Sequence, residues 1–292
     1  MGYRRLAFEG GIVEYVVAGP PDARGLLQFH VGTPSAAVVF PGLAAAAAAH
    51  GLRTATYSRG GYGQSSRRPG RSVADEAAIS AALADALGHD RFLTAGWSGG
   101  GPVALACAAL LPARVGACLA LASLAPRLEA GKAWDSWIPR EQRAEWKALA
   151  SGDLASLVGE FEESVGVFGH MTARQLRGGG GAPDARAVAH DHRAEIEPFL
   201  IRSMRRAVSS GYFGYLDDNL AQAKDWGFRV KDVRVPVIVR HGELDRLVDV
   251  RHGRWLAEAI PGARGVFLAD AGHGSVALPW SDAVEDLVRA AA

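Results

Sequence analysis

The sequence has very little cysteine, with only Cys107 and Cys118 among 292 residues. Both lie in apolar runs and neither has a CxxC or metal-ligand spacing, which indicates small buried side chains rather than a redox or metal site. The opening MGYRRLAFEGG lacks the apolar segment of a secretory signal, and no run of about twenty uncharged apolar residues exists to span a bilayer. We therefore expect a reduced, cytoplasmic protein with no membrane partner.

The sequence also lacks an excess of either charge. Lysine and arginine number 32 and aspartate and glutamate 31, for a net charge of +1, so a general attraction to nucleic acid is not expected. The densest basic run, SSRRPGR at residues 65–71, contains proline and glycine and is predicted to be a solvated loop rather than an anion site. With 49% hydrophobic residues, the chain has the composition of an ordinary globular protein.

Short β-rich runs alternate with helix-length, alanine-rich segments in the first third of the chain and again at its end. The later strands are nearly continuous in apolar residues, which is typical of strands buried on both faces of a parallel sheet. This alternation predicts an α/β fold with a doubly wound sheet. The predicted strands are GGIVEYVVAG, GLLQFH, LRTATYS, RFLTAGW, ARVGACLALAS, RVPVIVRHGELD and ARGVFLADAGHG.

The pattern changes in the middle of the chain, where amphipathic helical segments follow one another without a strand-like run. We expect an α/β core of residues 1–123 and 233–292, interrupted by a helical insertion at 124–232. The tract RGGGGAPD at 177–184 is predicted to be a mobile connector between two parts of this insertion. The insertion is rich in aromatic residues, most of which we expect to pack it onto the core while some line an apolar pocket.

Ser98 stands in the pentapeptide GWSGG, a G-x-S-x-G match where a strand-like run becomes a helix. With 36 glycines in the chain, such a match arises easily by accident, and the glycines could simply loosen the connection. The context favours a nucleophile instead, because a serine on a tight strand-to-helix turn needs small neighbours at 96 and 100. The helix that starts there also directs its amide donors toward incoming negative charge.

Two further residues follow predicted strands near the end of the chain. Asp245 comes just after the run PVIVRHG and could hold the tautomer of an imidazole, while its rival Asp249 fits better as the N-terminal cap of the next helix. His273 lies between two glycines after the last strand, although a plain loop residue is the alternative. In a parallel sheet these strand ends share one edge, so Ser98, Asp245 and His273 are predicted to meet there.

The segment HVGTP at residues 30–34 follows an early strand and is predicted to supply part of an oxyanion hole. A tetrahedral intermediate needs preset donors, and we expect the amides of Gly99 and of a residue in this turn, most plausibly Thr33, to provide them. Pro34 has no N–H and is excluded as a donor. A simple Gly-Pro turn without function is the alternative.

The motifs HVGTP, YSRGGYGQS, GWSGGGPVALA, HGELDRLV and DAGHGS together resemble the α/β-hydrolase superfamily, in its bacterial branch with an HGxP-type oxyanion turn. The resemblance covers the core and implies an eight-stranded, mostly parallel sheet with the insertion as a lid. It departs from the family at His30-Val31-Gly32, where His and Gly are usually adjacent, which leaves the second oxyanion donor open. It departs again at Arg59-Gly60-Gly61, where a loop more flexible than usual is expected.

From these residues we expect a serine hydrolase that cleaves an ester, lactone or thioester without a cofactor. The aromatic residues of the insertion favour a small, apolar substrate. A serine at 98 argues against the epoxide and haloalkane hydrolases of the same fold, whereas lyases, perhydrolases, acyltransferases and a non-catalytic binding module stay open. The cluster His190-Asp191-His192 is predicted to be a solvated loop rather than a metal site, and the glycine tract lacks the lysine of a phosphate loop. A monomer or homodimer is expected.

Overall fold

The computed structural model describes residues 2–179 and 190–292, and of residues 177–179 and 190–195 it describes the backbone. Its centre is an eight-stranded sheet in the order β1-β2-β4-β3-β5-β6-β7-β8, in which β2 runs antiparallel to both β1 and β4 while all other pairs are parallel. The predicted α/β fold is thereby confirmed. The strands are β1 Arg4–Phe8, β2 Gly11–Ala18, β3 Gly25–His30, β4 Leu52–Tyr57, β5 Phe92–Trp97, β6 Val115–Leu121, β7 Val237–Gly242 and β8 Arg264–Leu268.

Helices cover both faces of this sheet, as expected for strands that are apolar on both sides. On one face α1 packs against α12, and on the other α2 packs against α3, with α11 beside β7. These core helices are α1 Pro41–Ala49, α2 Asp75–Ala86, α3 Gly101–Leu110, α11 Val250–Ala259 and α12 Trp280–Ala291. All five coincide with segments of helical composition in the sequence.

The chain between β6 and β7 is helical in the residues that the structure describes. Helix α6 (Arg143–Ser151) ends at Gly152, which has a φ of +80°, and Pro139 precedes the short turn that leads into this helix. A stretch with helical periodicity is therefore divided into short helices. Arg177–Gly179 belong to α8 instead of the predicted connector, and the rest of that tract lies outside the described residues. The helices are α4 Arg127–Ala130, α5 Lys132–Trp137, α6 Arg143–Ser151, α7 Val158–Gly169, α8 Ala173–Gly179, α9 His190–Ala207 and α10 Phe213–Ala223.

The parallel register aligns the carboxyl ends of the central strands. His30 at the end of β3 pairs with Gly96 near the end of β5, and Leu121 of β6 pairs with Arg240 of β7. The loops that follow these strands therefore leave the sheet along one edge, where ligands bind in open α/β sheets. Within the described residues, no helix is both long and apolar enough to cross a membrane.

The core also buries two thiols and several imidazoles. Cys107 and Cys118 are buried free thiols, as predicted, and burial raises the pKa of Cys107 to about 12. His30 is buried beside Thr94, with 3.0 Å between Nε2 and the threonine Oγ1. Burial, followed by the charge of Arg59, lowers the pKa of His30 to about 3. Burial, followed by the charge of His241, likewise lowers the pKa of His252 to about 3.

These two buried histidines should make the fold sensitive to mild acid. Between their unfolded pKa near 6.5 and their folded pKa near 3, only the unfolded chain binds the protons, so stability is full above this window and falls as the pH drops. Each histidine should remove about 1.4 kcal/mol of unfolding free energy per pH unit. Urea melts at pH 6 and pH 5 measure this slope.

The matched variant is His30→Gln, whose amide can still meet Thr94 but does not titrate. Its unfolding free energy should depend on pH less steeply than that of the wild-type protein, by one histidine's share of about 1.4 kcal/mol per pH unit. Equal slopes for the two proteins would contradict the assignment of a neutral, buried His30.

Candidate active site

Ser98 occupies a strained turn at the end of β5. Its φ is +56°, in the left-handed region that non-glycine residues rarely adopt, and the chain passes through a short 3-10 turn before α3 begins at Gly101. A Cβ at Gly96 would overlap the carbonyl of Gly100, and one at Gly100 would overlap the carbonyl of His30. These glycines therefore permit close backbone packing and do not loosen the connection.

Asp245 and His273 are hydrogen-bonded to each other. His273 Nδ1 lies 2.8 Å from Asp245 Oδ2, and the amides of Leu247 and Val248 each donate to Asp245 Oδ1 at 2.9 Å. Burial by itself would raise the pKa of Asp245, but the charge of His273 and hydrogen bonds from His241 and His273 hold it well below its ordinary value. The carboxylate is thus ionised and fixed on both oxygens.

Neighbouring side chains hold this pair in place. Trp97 Nε1 donates to the carbonyl of His273 at 2.9 Å, and the two rings lie 5.8 Å apart. His241 Nε2 lies 3.3 Å from Asp245 Oδ2 and 2.9 Å from the carbonyl oxygen of Val248. Sequence reasoning did not find His241, because it stands inside the apolar run of β7. Asp249 accepts a hydrogen bond from the Arg251 amide, which confirms it as the cap of α11.

The turn after β3 lies directly against the Ser98 turn. A Cβ on Gly32 would stand 3.2 Å from Ser98 Cβ, and one on Gly99 would stand 2.9 Å from Thr33 Cβ and closer still to its hydroxyl. Thr33 and Gly99 are therefore neighbours across two loops that are far apart in sequence. A side chain at 99 would overlap Thr33, whereas one at 32 would require Ser98 to shift by a few tenths of an ångström.

A cavity of about 450 Å³ opens above these loops. Thr33, Ser98, Gly99 and His273 all line it, whereas Asp245 lies behind His273. Such a volume and an apolar wall are typical of a small-molecule site. The apolar lining residues are Trp97, Leu124, Ile138, Trp146, Phe168, Met171, Leu176, Ile196, Leu200, Met204, Tyr215, Leu247 and Val248.

The charged residues of the cavity wall are acidic. Glu145 of α6 and Glu197 of α9 line it, and among the side chains that the structure describes no lysine or arginine does so. Burial, and after it the negative charge of Glu160, raises the pKa of Glu145. The described lining therefore offers neither a lysine nor an arginine to an anionic ligand.

A buried ionic cluster lies beside the Thr33 turn. Arg59 and Arg71 both bind Asp218 of α10, and Arg71 also lies 3.6 Å from Glu76. The prediction of a solvated loop at 65–71 is therefore wrong for Arg71, which is buried, and for Ser65, whose hydroxyl bonds the Ser58 carbonyl. The partners are far apart in sequence, so no local pattern marks them.

The loop after β4 is packed more closely than its glycines suggest. Gly61 has a φ of +85°, and a Cβ there would stand 2.8 Å from the Cα of Gly214 on α10. The expected flexible loop is thus fixed against the insertion. The side chains of His190, Asp191 and His192 lie outside the described residues, and among the described ones no three His, Cys, Asp or Glu are grouped as metal ligands.

Comparison with known proteins agrees with this architecture. A family model described as alpha/beta hydrolase fold matches residues 26–152. A pimeloyl-[acyl-carrier protein] methyl ester esterase from Aromatoleum aromaticum is 28% identical over 244 residues, which are 82% of this chain and 88% of that protein. The family model thus covers the first part of the core, and the esterase is similar over most of the chain.

Solved structures share the fold over nearly the whole chain. A hydrolase from Pseudomonas aeruginosa superposes with a TM-score of 0.68 at 23% identity, covering 98% of each chain. A bromoperoxidase from Bacillus anthracis gives 0.70 at 20% identity, covering 96% of each chain. At these identities the superpositions show a common fold.

The backbone contact at Gly100 leads to a stability prediction. Gly100→Ala should destabilise the protein by about 3 kcal/mol or more, because the added methyl group overlaps the His30 carbonyl and the backbone must shift. Urea or thermal unfolding measures the loss.

The control is Gly166→Ala in α7, where a Cβ meets nothing within 4 Å. This variant should be neutral or more stable by up to about 1 kcal/mol, because alanine favours a helix over glycine. A Gly100→Ala protein as stable as Gly166→Ala would contradict the packing described for this turn.

Proposed function

Because the chain has the α/β-hydrolase fold, we propose that it is a serine hydrolase acting on a carboxylic ester or a related acyl bond, a lactone or thioester, of a small apolar molecule. The observation that carries this proposal is the 2.8 Å bond between His273 and Asp245 in the wall of the cavity that Ser98 also lines. A nucleophile, a base and an acid that orients the base form the arrangement that activates serine.

The reaction would proceed through an acyl-enzyme. Ser98 Oγ attacks the carbonyl carbon and gives its proton to His273, while the carbonyl π electrons move onto oxygen. Collapse of the tetrahedral intermediate expels the alcohol, which takes the proton from the imidazolium. Water then repeats both steps and releases the acid. Because Asp245 binds Nδ1, the Nε2 atom is the one that would exchange the proton with Ser98.

The oxyanion would be stabilised by the amides of Thr33 and Gly99. Both residues line the cavity together with Ser98, and Gly99 packs against Thr33. The start of α3 adds the positive end of its dipole at the same place. Preset donors of this kind account for a large share of catalysis in acyl transfer.

The insertion at 124–232 would act as a lid over a core of residues 1–123 and 233–292. Most apolar residues of the cavity wall, such as Trp146, Phe168 and Tyr215, come from it. An ester bond is favoured among acyl groups because the similar curated protein is named as a methyl ester esterase. The identity of the acid and alcohol groups would then follow from the shape of the apolar wall.

Replacing Ser98 with alanine should abolish the reaction. We expect turnover of p-nitrophenyl hexanoate to fall by at least about 10³-fold in Ser98→Ala and His273→Ala, and by about 10²- to 10⁴-fold in Asp245→Asn. A fluorophosphonate probe should label the wild-type protein at one equivalent and leave Ser98→Ala unlabelled. The release of p-nitrophenol and intact-mass spectrometry measure these outcomes.

Ser35→Ala is the matched control, because Ser35 lines the same cavity and has no part in the proposed chemistry. It should keep both labelling and turnover. Full esterase activity in Ser98→Ala would refute the mechanism, and labelling without release of alcohol would favour a binding module.

The acidic wall predicts a preference for neutral acyl groups. Hydrolysis of p-nitrophenyl hexanoate should exceed that of mono-p-nitrophenyl adipate by about tenfold or more in kcat/KM, because the extra carboxylate must enter an apolar cavity beside Glu145. The Glu145→Gln variant should narrow this difference. Equal rates for the two esters in the wild-type protein would count against the proposed apolar substrate.

A further inference from the structure

The ionic cluster beside the Thr33 turn joins three separate parts of the chain. Arg59 follows β4, Arg71 precedes α2, and Asp218 lies on α10 in the insertion. Their side chains are only 2–3% exposed, and Asp218 lies 2.5 Å from the nearest nitrogen of each arginine. None of the three lines the cavity, so the proposed chemistry gives them no direct task.

Arg59 contacts the backbone of the proposed oxyanion turn. Its Nη1 donates to the Val31 carbonyl at 2.6 Å, and its Nη2 donates to the Gly32 carbonyl at 2.9 Å. Two adjacent peptide groups are therefore fixed by one planar guanidinium. Arginine suits this task because its donors form a rigid fork.

Fixing the Gly32 carbonyl also fixes the Thr33 amide. The Gly32–Thr33 peptide bond is trans, so its C=O and N–H point in opposite directions within one plane. With the carbonyl held toward Arg59, the Thr33 N–H must point away from the guanidinium. A positive charge on the carbonyl side also polarises the peptide group and strengthens its N–H as a donor.

Asp218 binds both Arg59 and the Thr33 side chain. Both of its oxygens accept from Arg59 Nε at 3.0 Å, and the Thr33 hydroxyl donates to Oδ2 at 2.8 Å. Gln222, one helical turn further along α10, donates to the same hydroxyl at 3.1 Å. The turn is thus tied to α10 through its side chain as well as its backbone.

We propose that Asp218 is a positioning residue for oxyanion stabilisation: it aims Arg59 at the Gly32 carbonyl and so directs the Thr33 amide toward the reacting carbonyl above Ser98. This inference rests on the proposed serine hydrolase function. In this arrangement α10 of the insertion would do more than line the cavity. Through Asp218 it would also orient the Thr33 amide.

Electrostatics agree with this assignment. Burial by itself would raise the pKa of Asp218, but the charges of Arg59 and Arg71 outweigh it and hold the pKa well below its ordinary value. Burial would lower the pKa of Arg59, and Asp218 more than reverses this effect. The pair is ionised throughout the working pH range of an esterase, so the orientation it imposes does not titrate.

The test compares Asp218→Asn with Asp217→Asn. Asp217 is the adjacent residue on α10, is equally buried, and pairs with Arg67 from the same segment as Arg71, but it has no contact with Thr33. Asp218→Asn should lower kcat for p-nitrophenyl hexanoate by about 10- to 100-fold with little change in KM, because the donor serves the transition state. Asp217→Asn should change kcat by less than about twofold.

A pair of inhibitors separates positioning from a general structural defect. An aryl trifluoromethyl ketone forms a hemiketal oxyanion with the serine, whereas the matching methyl ketone binds without that charge. Asp218→Asn should weaken the fluorinated ketone by the same factor as kcat and leave the methyl ketone within about twofold. Equal weakening of both ketones, or an equal kcat loss in Asp217→Asn, would overturn the inference.

A second pair of variants applies if Asp218→Asn does not fold. Thr33→Val removes the hydroxyl that Asp218 accepts from, and Thr33→Ser keeps it. Thr33→Val should lose affinity for the fluorinated ketone while Thr33→Ser retains it, and equal affinities would overturn the inference. If the wild-type protein neither hydrolyses esters nor reacts with a fluorophosphonate, the proposed function is refuted together with this inference. A normal kcat in a folded Asp218→Asn protein refutes this inference alone.

Discussion

The site depends on the contact of backbone with backbone at the end of β5. Gly100 packs against the carbonyl of His30, Gly32 against Ser98, and Gly99 against Thr33. The side chains of Ser98 and Thr33 fill the remaining space between these loops, so the turn that carries Ser98 and the turn that follows β3 pack as one layer. Ser98 has its positive φ within this closely packed layer.

The parallel sheet explains why distant residues could be placed correctly from the sequence. Runs such as RFLTAGW and PVIVRHG mark buried strands, and the residue that follows such a strand must lie on the shared edge. Ser98, Asp245 and His273 each follow a strand, so their neighbourhood could be predicted from order alone. β1 was missed because its short, charged sequence RRLAF lies at the sheet's edge and lacks the pattern of a buried strand.

Arg59, Asp218 and His241 escaped prediction for a different reason. The partners Arg59 and Asp218 are 159 residues apart, and their pairing depends on how α10 packs against the loop after β4. Periodicity records which face of an element is buried, but it does not record which polar group meets which across two elements. A basic run that looks solvated can therefore contain a buried arginine, as Arg71 shows.

The two arginines that share Asp218 also constrain how the sequence can change. Removal of one partner leaves a buried charge uncompensated, whereas exchange of the whole cluster for apolar residues of similar volume avoids that penalty. Substitutions at these positions should therefore be strongly non-additive, with the intermediates less fit than either end state. Single substitutions thus do not connect the sequences that have the cluster with those that lack it. We expect variants of this protein to keep all of these charged residues or to replace them together.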